Sequence, residues 1–159
     1  MDPEAYFLVK AIHILSSTIL FGTGIGTAFH MWFAHLKHDA AVMSVVARNV
    51  VLADWLFTAP AGLLQPITGL ILINILGLEP LSSGLIAVYF LYTVATVCWI
   101  RVVFLQYRVR DLAEASMQTG SVLPQAYYQA MREWFVLGWP AFFSLLAIYW
   151  LMFSRFNWY

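Results

Sequence analysis

Four stretches of this chain are too apolar and too long for anything other than a membrane interior. They run over residues 6–36, 45–78, 83–107 and 133–156, and each exceeds the roughly 20 residues a helix needs to cross a hydrocarbon core. Inside that core the backbone must satisfy its own hydrogen bonds, which an α-helix does within a single segment. The composition agrees, since 62% of the 159 residues are hydrophobic and 10% are charged. Seven Trp, eight Tyr and twelve Phe add more aromatic surface than a water-facing domain of this length can carry. Lys plus Arg and Asp plus Glu balance at eight each, so no basic excess recruits nucleic acid. The expected surrounding is the lipid bilayer, and no nucleic-acid partner is expected.

The connections are short, which makes consecutive spans antiparallel neighbours in one up-down four-helix bundle. Lys37 to Ser44 is polar, Gly77-Leu78-Glu79-Pro80 reads as a turn, and the third connection holds Gly120, Ser121 and Pro124. The first two spans are longer than one bilayer requires. In the second, Pro60, Gly62, Pro66 and Gly69 predict a kink near mid-membrane. Residues 109–117, with Asp111 and Glu114, predict that the third helix continues past the membrane. Basic residues set the orientation. Lys37, Arg48, Arg108, Arg110 and Arg132 flank the first and third connections and the second has none, so both termini are expected on the extracytoplasmic side. Arg155 is the exception, and Trp150, Trp158 and Tyr159 around it read as an interfacial belt. The acidic opening Met1-Asp2-Pro3-Glu4 differs from the basic start of a signal peptide, so the first run is expected to be a retained span. Cys98 is the single cysteine and has no internal disulfide partner.

A polar side chain inside a span costs about 3 kcal/mol on insertion scales, so each needs a partner, a cavity or a task. The candidates are Lys10, His13 and His30 in the first span, Asp54, Gln65 and Asn74 in the second, and Arg101 and Gln106 in the third. Counted at ~1.5 Å per residue from Lys37, Arg48 and Arg108, the residues His30, Asp54 and Arg101 fall at about one depth. That match predicts an intramembrane ion pair between Asp54 and Arg101 with His30 nearby, either a packing staple or a proton or anion site. Trp55 and Trp99 would wall it. His13 shares a helical face with Lys10, Ser17 and Gly24, and it could hydrogen-bond a neighbour or ligate a haem iron. His30, His35 and His38 are spaced by five and three, unlike a zinc pair at i, i+4. Gly22 and Gly26 form a GxxxG pair that admits a close helix, from this chain or from a second copy in a homo-oligomer.

The run from Ala53 to Pro60, continuing through Gln65-Pro66-Ile67-Thr68-Gly69, resembles the second-span signature of the bacterial integral membrane family known as domain of unknown function 2269. Cys98 to Gln106 with Arg108 and Arg110-Asp111-Leu112-Ala113 is similar to its third span. Trp134 to Gly138, Pro140-Ala141 and Met152 match its fourth. The likeness covers essentially the whole chain and implies a multi-pass protein of the bacterial cytoplasmic membrane, in a family without an assigned activity.

More distantly, Lys10-Ala11-Ile12-His13 followed by Gly22-Thr23-Gly24 resembles the first span of HemJ-type protoporphyrinogen oxidases and copper-resistance D-like membrane proteins. That resemblance implies a b-type haem, with His13 as ligand to the haem iron. The third span of that group uses a lysine where this chain has Arg101. Arginine serves neither as a base nor as an iron ligand, so the likeness points to haem binding rather than to oxidase activity. The leading expectation is therefore a haem-binding or redox-associated membrane protein, with Lys10 beside the ligand and Asp54 and Arg101 holding the bundle or a haem propionate. The alternative is a transport or channel component in which His30, Asp54, Gln65 and Arg101 line a polar path.

Overall fold

The computed structural model describes residues 3–154, so Arg155, Trp158, Tyr159 and the last residues assigned to the fourth span lie outside the described residues. Every described element is helical: α1 (Pro3–His35), α2 (Ala40–Ala53), a π-helical segment (Asp54–Thr58), α3 (Ala59–Leu76), α4 (Ser83–Thr119) and α5 (Gln125–Ser154). Because α2, the π-helical segment and α3 run on as one piece, four helices are long and apolar enough to cross a membrane. The all-α four-helix bundle expected from hydropathy is the fold. The helices overrun the expected spans, most of all α4, whose extension to Thr119 includes the polar segment 109–117.

The helix ends are encoded locally. Asp39 caps α2 by accepting the backbone N–H groups of Ala41 and Val42, two of the donors that a helix start leaves unpaired. Gly77 and Gly120 close α3 and α4 at φ 63°. There Leu78 N–H reaches Ile73 O and Ser121 N–H reaches Ser116 O, the bonding of a glycine-terminated helix.

Ahead of the proline- and glycine-bearing stretch, the second span widens into the π-helical segment Asp54–Thr58, two residues before Pro60. A proline in a helix supplies no N–H and crowds the carbonyl four residues back. A wider turn, closed by Ala59 N–H on Asp54 O, relieves that crowding. Pro66 lies inside α3 and deprives the Gly62 carbonyl of its donor. The hydroxyl of Tyr92 on α4 donates to that same carbonyl, so a neighbouring helix satisfies the group that proline leaves bare.

Packing is unequal along the bundle. The principal core cluster, including Met31, Met43, Leu105, Val109, Tyr127 and Trp134, occupies the half that carries connections 36–39 and 120–124, the loop half. The half with the chain ends and the 77–82 turn, the termini half, leaves Leu15, Leu63, Phe90 and Trp150 more than 60% exposed. Such faces suit lipid, which solvates apolar side chains as well as another helix would.

Candidate functional site

Along the second span, Asp54, Thr58, Ala61, Gln65 and Thr68 recur at intervals of four and three, which stacks them on one helical face. Asp54, Thr58, Ala61 and Thr68 are buried and Gln65 is half-buried. At ~1.5 Å per residue the stripe runs about 21 Å. Its apolar residues look outward, with Trp55, Leu56, Phe57, Leu63 and Ile67 exposed. The inward face of a membrane helix is thus its polar face.

In the termini half the stripe meets α1. His13 Nδ1 lies 2.7 Å from Thr68 Oγ1. The single proton of the Thr68 hydroxyl is directed to Leu64 O at 2.6 Å, so Thr68 accepts and His13 Nδ1 carries the hydrogen. That tautomer leaves the Nε2 lone pair of His13 bare. Gln65 Nε2 donates to His13 O at 2.9 Å and to Ser16 Oγ at 2.6 Å, so two residues of α3 hold one turn of α1. The helices meet closely here, since a methyl at Gly69 would sit 3.5 Å from the His13 ring. Lys10 is exposed, with its ammonium 5.5 Å from the centre of the Tyr6 ring. It takes no part in this cluster.

In the loop half the stripe meets α4. Thr58 Oγ1 donates to Asp54 Oδ1 at 2.8 Å, while Asp54 Oδ2 is buried without a partner. Gln106 and Trp99 of α4 stand close enough to act on the carboxylate. Neither completes a hydrogen bond, and Gln106 Oε1 and Trp99 Nε1 are themselves buried and unpartnered. Four polar side chains from two helices therefore converge in one dry place, with their hydrogen bonding only partly satisfied.

The expected ion pair between Asp54 and Arg101 does not form. Arg101 pairs with Glu133 of α5 at 2.7 Å, and both side chains are about half exposed. The depth count treated Arg48 and Arg108 as equivalent edge markers, and they are not. Arg48 pairs with Glu114 at 2.8 Å, and Trp55 Nε1 donates to the Tyr107 hydroxyl at 2.7 Å. Arg101 is instead turned toward α5, half exposed in its pair with Glu133, and does not reach the buried carboxylate of Asp54. Asp54 and Gln65 share the stripe, whereas His30 and Arg101 lie off it. His30 is exposed and lines a groove of about 340 Å³ between α1 and α2 with Thr23, Gly26, Thr27, Asn49 and Phe57. Gly22 and Gly26 have open space beside their Cα atoms, so close packing within this chain does not account for them.

Thr58 and Thr68 complete the stripe and Ser16 of α1 adjoins it; charge and histidine alone do not point to these hydroxyls. The i, i+4, i+7 spacing of Asp54, Thr58 and Ala61, repeated by Gln65 and Thr68, was the signal available. Glu133 was read only as a span boundary. At the loop end His35 Nδ1 lies 2.9 Å from the Tyr127 hydroxyl, so that histidine has a neighbour to bind, as its interfacial position allows. Among the described residues no three His, Cys, Asp or Glu side chains gather as metal ligands.

No curated protein and no solved structure matches this chain. A family model matches residues 7–156, nearly the full length, and so includes the second span with its stripe. The chain belongs to the DUF2269 family of predicted integral membrane proteins.

Proposed function

We propose that this chain is a transport or channel component that passes a proton or small cation along the polar face of its second span. One observation carries the reading: the side of that helix turned into the bundle is lined by Asp54, Thr58, Gln65 and Thr68, while its lipid side is apolar. Polar groups in a span are costly unless they serve a pathway or pair with one another, and here the pairing is incomplete at Asp54 Oδ2, Gln106 Oε1 and Trp99 Nε1. The test is flux into liposomes containing the purified protein, read with an internal pH dye and with sodium- and potassium-sensitive dyes. Gln65→Leu interrupts the polar face and is expected to lower the flux by about tenfold. Wild-type liposomes no leakier than empty ones would sink the reading.

A second reading, b-type haem at His13, is favoured by the bare Nε2 of that ring, because a ligand histidine commonly has its other nitrogen held by a hydrogen bond. His13 would hold the haem iron, and the haem would supply a centre for electron transfer. Lys10 and Arg101 are engaged elsewhere, so the fit rests on His13 alone. Purified protein that takes up haem, with a Soret band lost in His13→Ala and kept in His35→Ala, would support this reading. A colourless protein that takes up no added haem would end it.

The same proposal places the chain in a bacterial cytoplasmic membrane with both termini outside, as the Lys and Arg bias supports. Reporter fusions at Lys37, Glu79 and Gly120 test the orientation. The open faces of Gly22 and Gly26 support a homo-oligomer formed through α1.

A further inference from the structure

Asp54 is 5% exposed and lies at the first position of the π-helical segment, a kind of helical irregularity that concentrates at functional sites. One carboxyl oxygen, Oδ1, is committed as the acceptor of the Thr58 hydroxyl. The other, Oδ2, is buried from solvent and completes no hydrogen bond, although Gln106 and Trp99 of α4 stand close to the carboxylate. Among the described residues no cation pairs with it, because the three ion pairs are Arg48 with Glu114, Arg101 with Glu133 and Arg110 with Asp111. A bare anionic oxygen in such surroundings is costly, and a buried acid escapes the cost by taking a proton.

We infer that Asp54 reversibly binds a proton within the membrane-spanning region, with the proton resting on Oδ2. Protonation removes the charge and turns the one unpartnered carboxyl oxygen into a donor. An acceptor stands ready in Gln106 Oε1, buried and unpartnered on the facing helix. A half-turn of the Gln106 amide exchanges its nitrogen and oxygen, so the same side chain can donate to the carboxylate and accept from the carboxyl. Trp99 Nε1, a donor only, favours the anion, and the pairing changes as the proton comes and goes.

The groove between α1 and α2, which carries the polar groups of Thr23, Thr27, His30 and Asn49 among apolar side chains, reaches Ala53 and Phe57, one residue before Asp54 and three after it. The charged and titratable groups on the packed elements are engaged elsewhere or exposed. On α1 His13 meets Thr68, His35 meets Tyr127, Lys10 lies over the Tyr6 ring, and His30 is exposed in that groove. On α2 there is Arg48, bound to Glu114. On α3 there is none between Ala59 and Leu76. On α4 the Tyr107 hydroxyl is held by Trp55, Arg101 is held by Glu133, and Arg108, near Asp54 in level, is exposed and makes no ion pair with it.

This inference deepens the transport reading by naming the species bound, and it rests on that reading only for what happens after binding. The probe is dicyclohexylcarbodiimide, an apolar reagent that enters bilayers and converts protonated carboxyl groups to a stable N-acylurea. Full-length protein in liposomes is treated across a pH series, and the adduct is located by peptide mass spectrometry. The expected result is an adduct on Asp54 that falls about tenfold for each pH unit above its titration midpoint, as the neutral fraction does. It should be the same in sodium or potassium chloride and absent from that peptide in Asp54→Asn. No adduct on Asp54 at any pH, or one that does not vary with pH, overturns the inference. So does protection by sodium that potassium does not give, since that marks a bound metal ion. Because the adduct is assigned to a peptide, the wild-type measurement decides the matter even if Asp54→Asn does not insert. Proton flux with an unlabelled Asp54 overturns this inference and leaves the transport reading standing. A labelled Asp54 in liposomes that carry no flux overturns the transport reading alone.

Discussion

The two halves of the bundle are held together in different ways. In the loop half, Met31, Met43, Val109 and Tyr127 are fully buried in one contiguous cluster, much as in the core of a soluble protein. In the termini half, α1 is tied to α3 by hydrogen bonds through His13, Ser16, Gln65 and Thr68 and to α5 by rings such as Phe21 and Phe142, 5.6 Å apart. Large apolar side chains there face outward. Lipid is as apolar as leucine, so water expulsion does not drive these helices together, and close packing or polar contact must do so. The loop half uses packing and the termini half uses polar contact. The polar stripe runs through both, with Asp54 and Thr58 in the packed half and Gln65 and Thr68 in the hydrogen-bonded half.

The contrast is sharpest at Tyr127. Tyr127→Ala should destabilise the bundle by about 3–5 kcal/mol, the usual cost of truncating a buried aromatic residue, whereas Leu15→Ala, exposed on α1, should change little. Unfolding in mixed detergent micelles measures both, and similar losses would show that the halves do not differ. Next in size is the pair of Arg101 and Glu133. Removing either partner alone should cost about 3 kcal/mol if lipid surrounds the pair, and Arg101→Gln with Glu133→Gln should recover part of the loss. Asp54→Asn combined with Arg101→Gln should be additive, because those residues do not touch; strong coupling between them would contradict the observed register.

A smaller effect is expected from Gln65→Leu, about 1 kcal/mol, as found for single polar contacts between membrane helices. A larger loss than at Tyr127 would mean that the termini half is the true anchor. The smallest is Gly26→Ala, expected within about 0.5 kcal/mol of wild type as for substitutions that touch nothing, since open space adjoins that glycine. If Gly22→Leu or Gly26→Leu lowers the oligomeric state in detergent while the monomer stays folded, the free face is a contact between copies. Unchanged association would dismiss that use of it.

Much of this molecule is legible in the order of its residues, because the quantities involved are local. Hydropathy summed over one turn after another fixes four spans, and Asp39, Gly77 and Gly120 fix helix ends through bonds to residues at most five positions away. Some inward polar residues, Asp54, Gln65 and Gln106, could also be named, because charge and amide groups in hydrocarbon are conspicuous, whereas the hydroxyls of Thr58, Thr68 and Ser16 could not. What could not be read was which of them meet. Arg101 finds Glu133 rather than Asp54, and His13 finds Thr68. Those partners depend on the rotation of each helix about its axis and on its slide past its neighbour. A shift of one turn moves a side chain about 5.4 Å, more than the reach of an ion pair, and nothing local records it. The Arg48 and Glu114 register, the π-helical turn ahead of Pro60 and the packing of Tyr127 set those shifts together. The sequence by itself determined that the chain is a four-span membrane protein, since each span answers only to its own residues and the bilayer. Only the tertiary structure decided that Asp54 stands without a countercharge, since that depends on the mutual register of three helices.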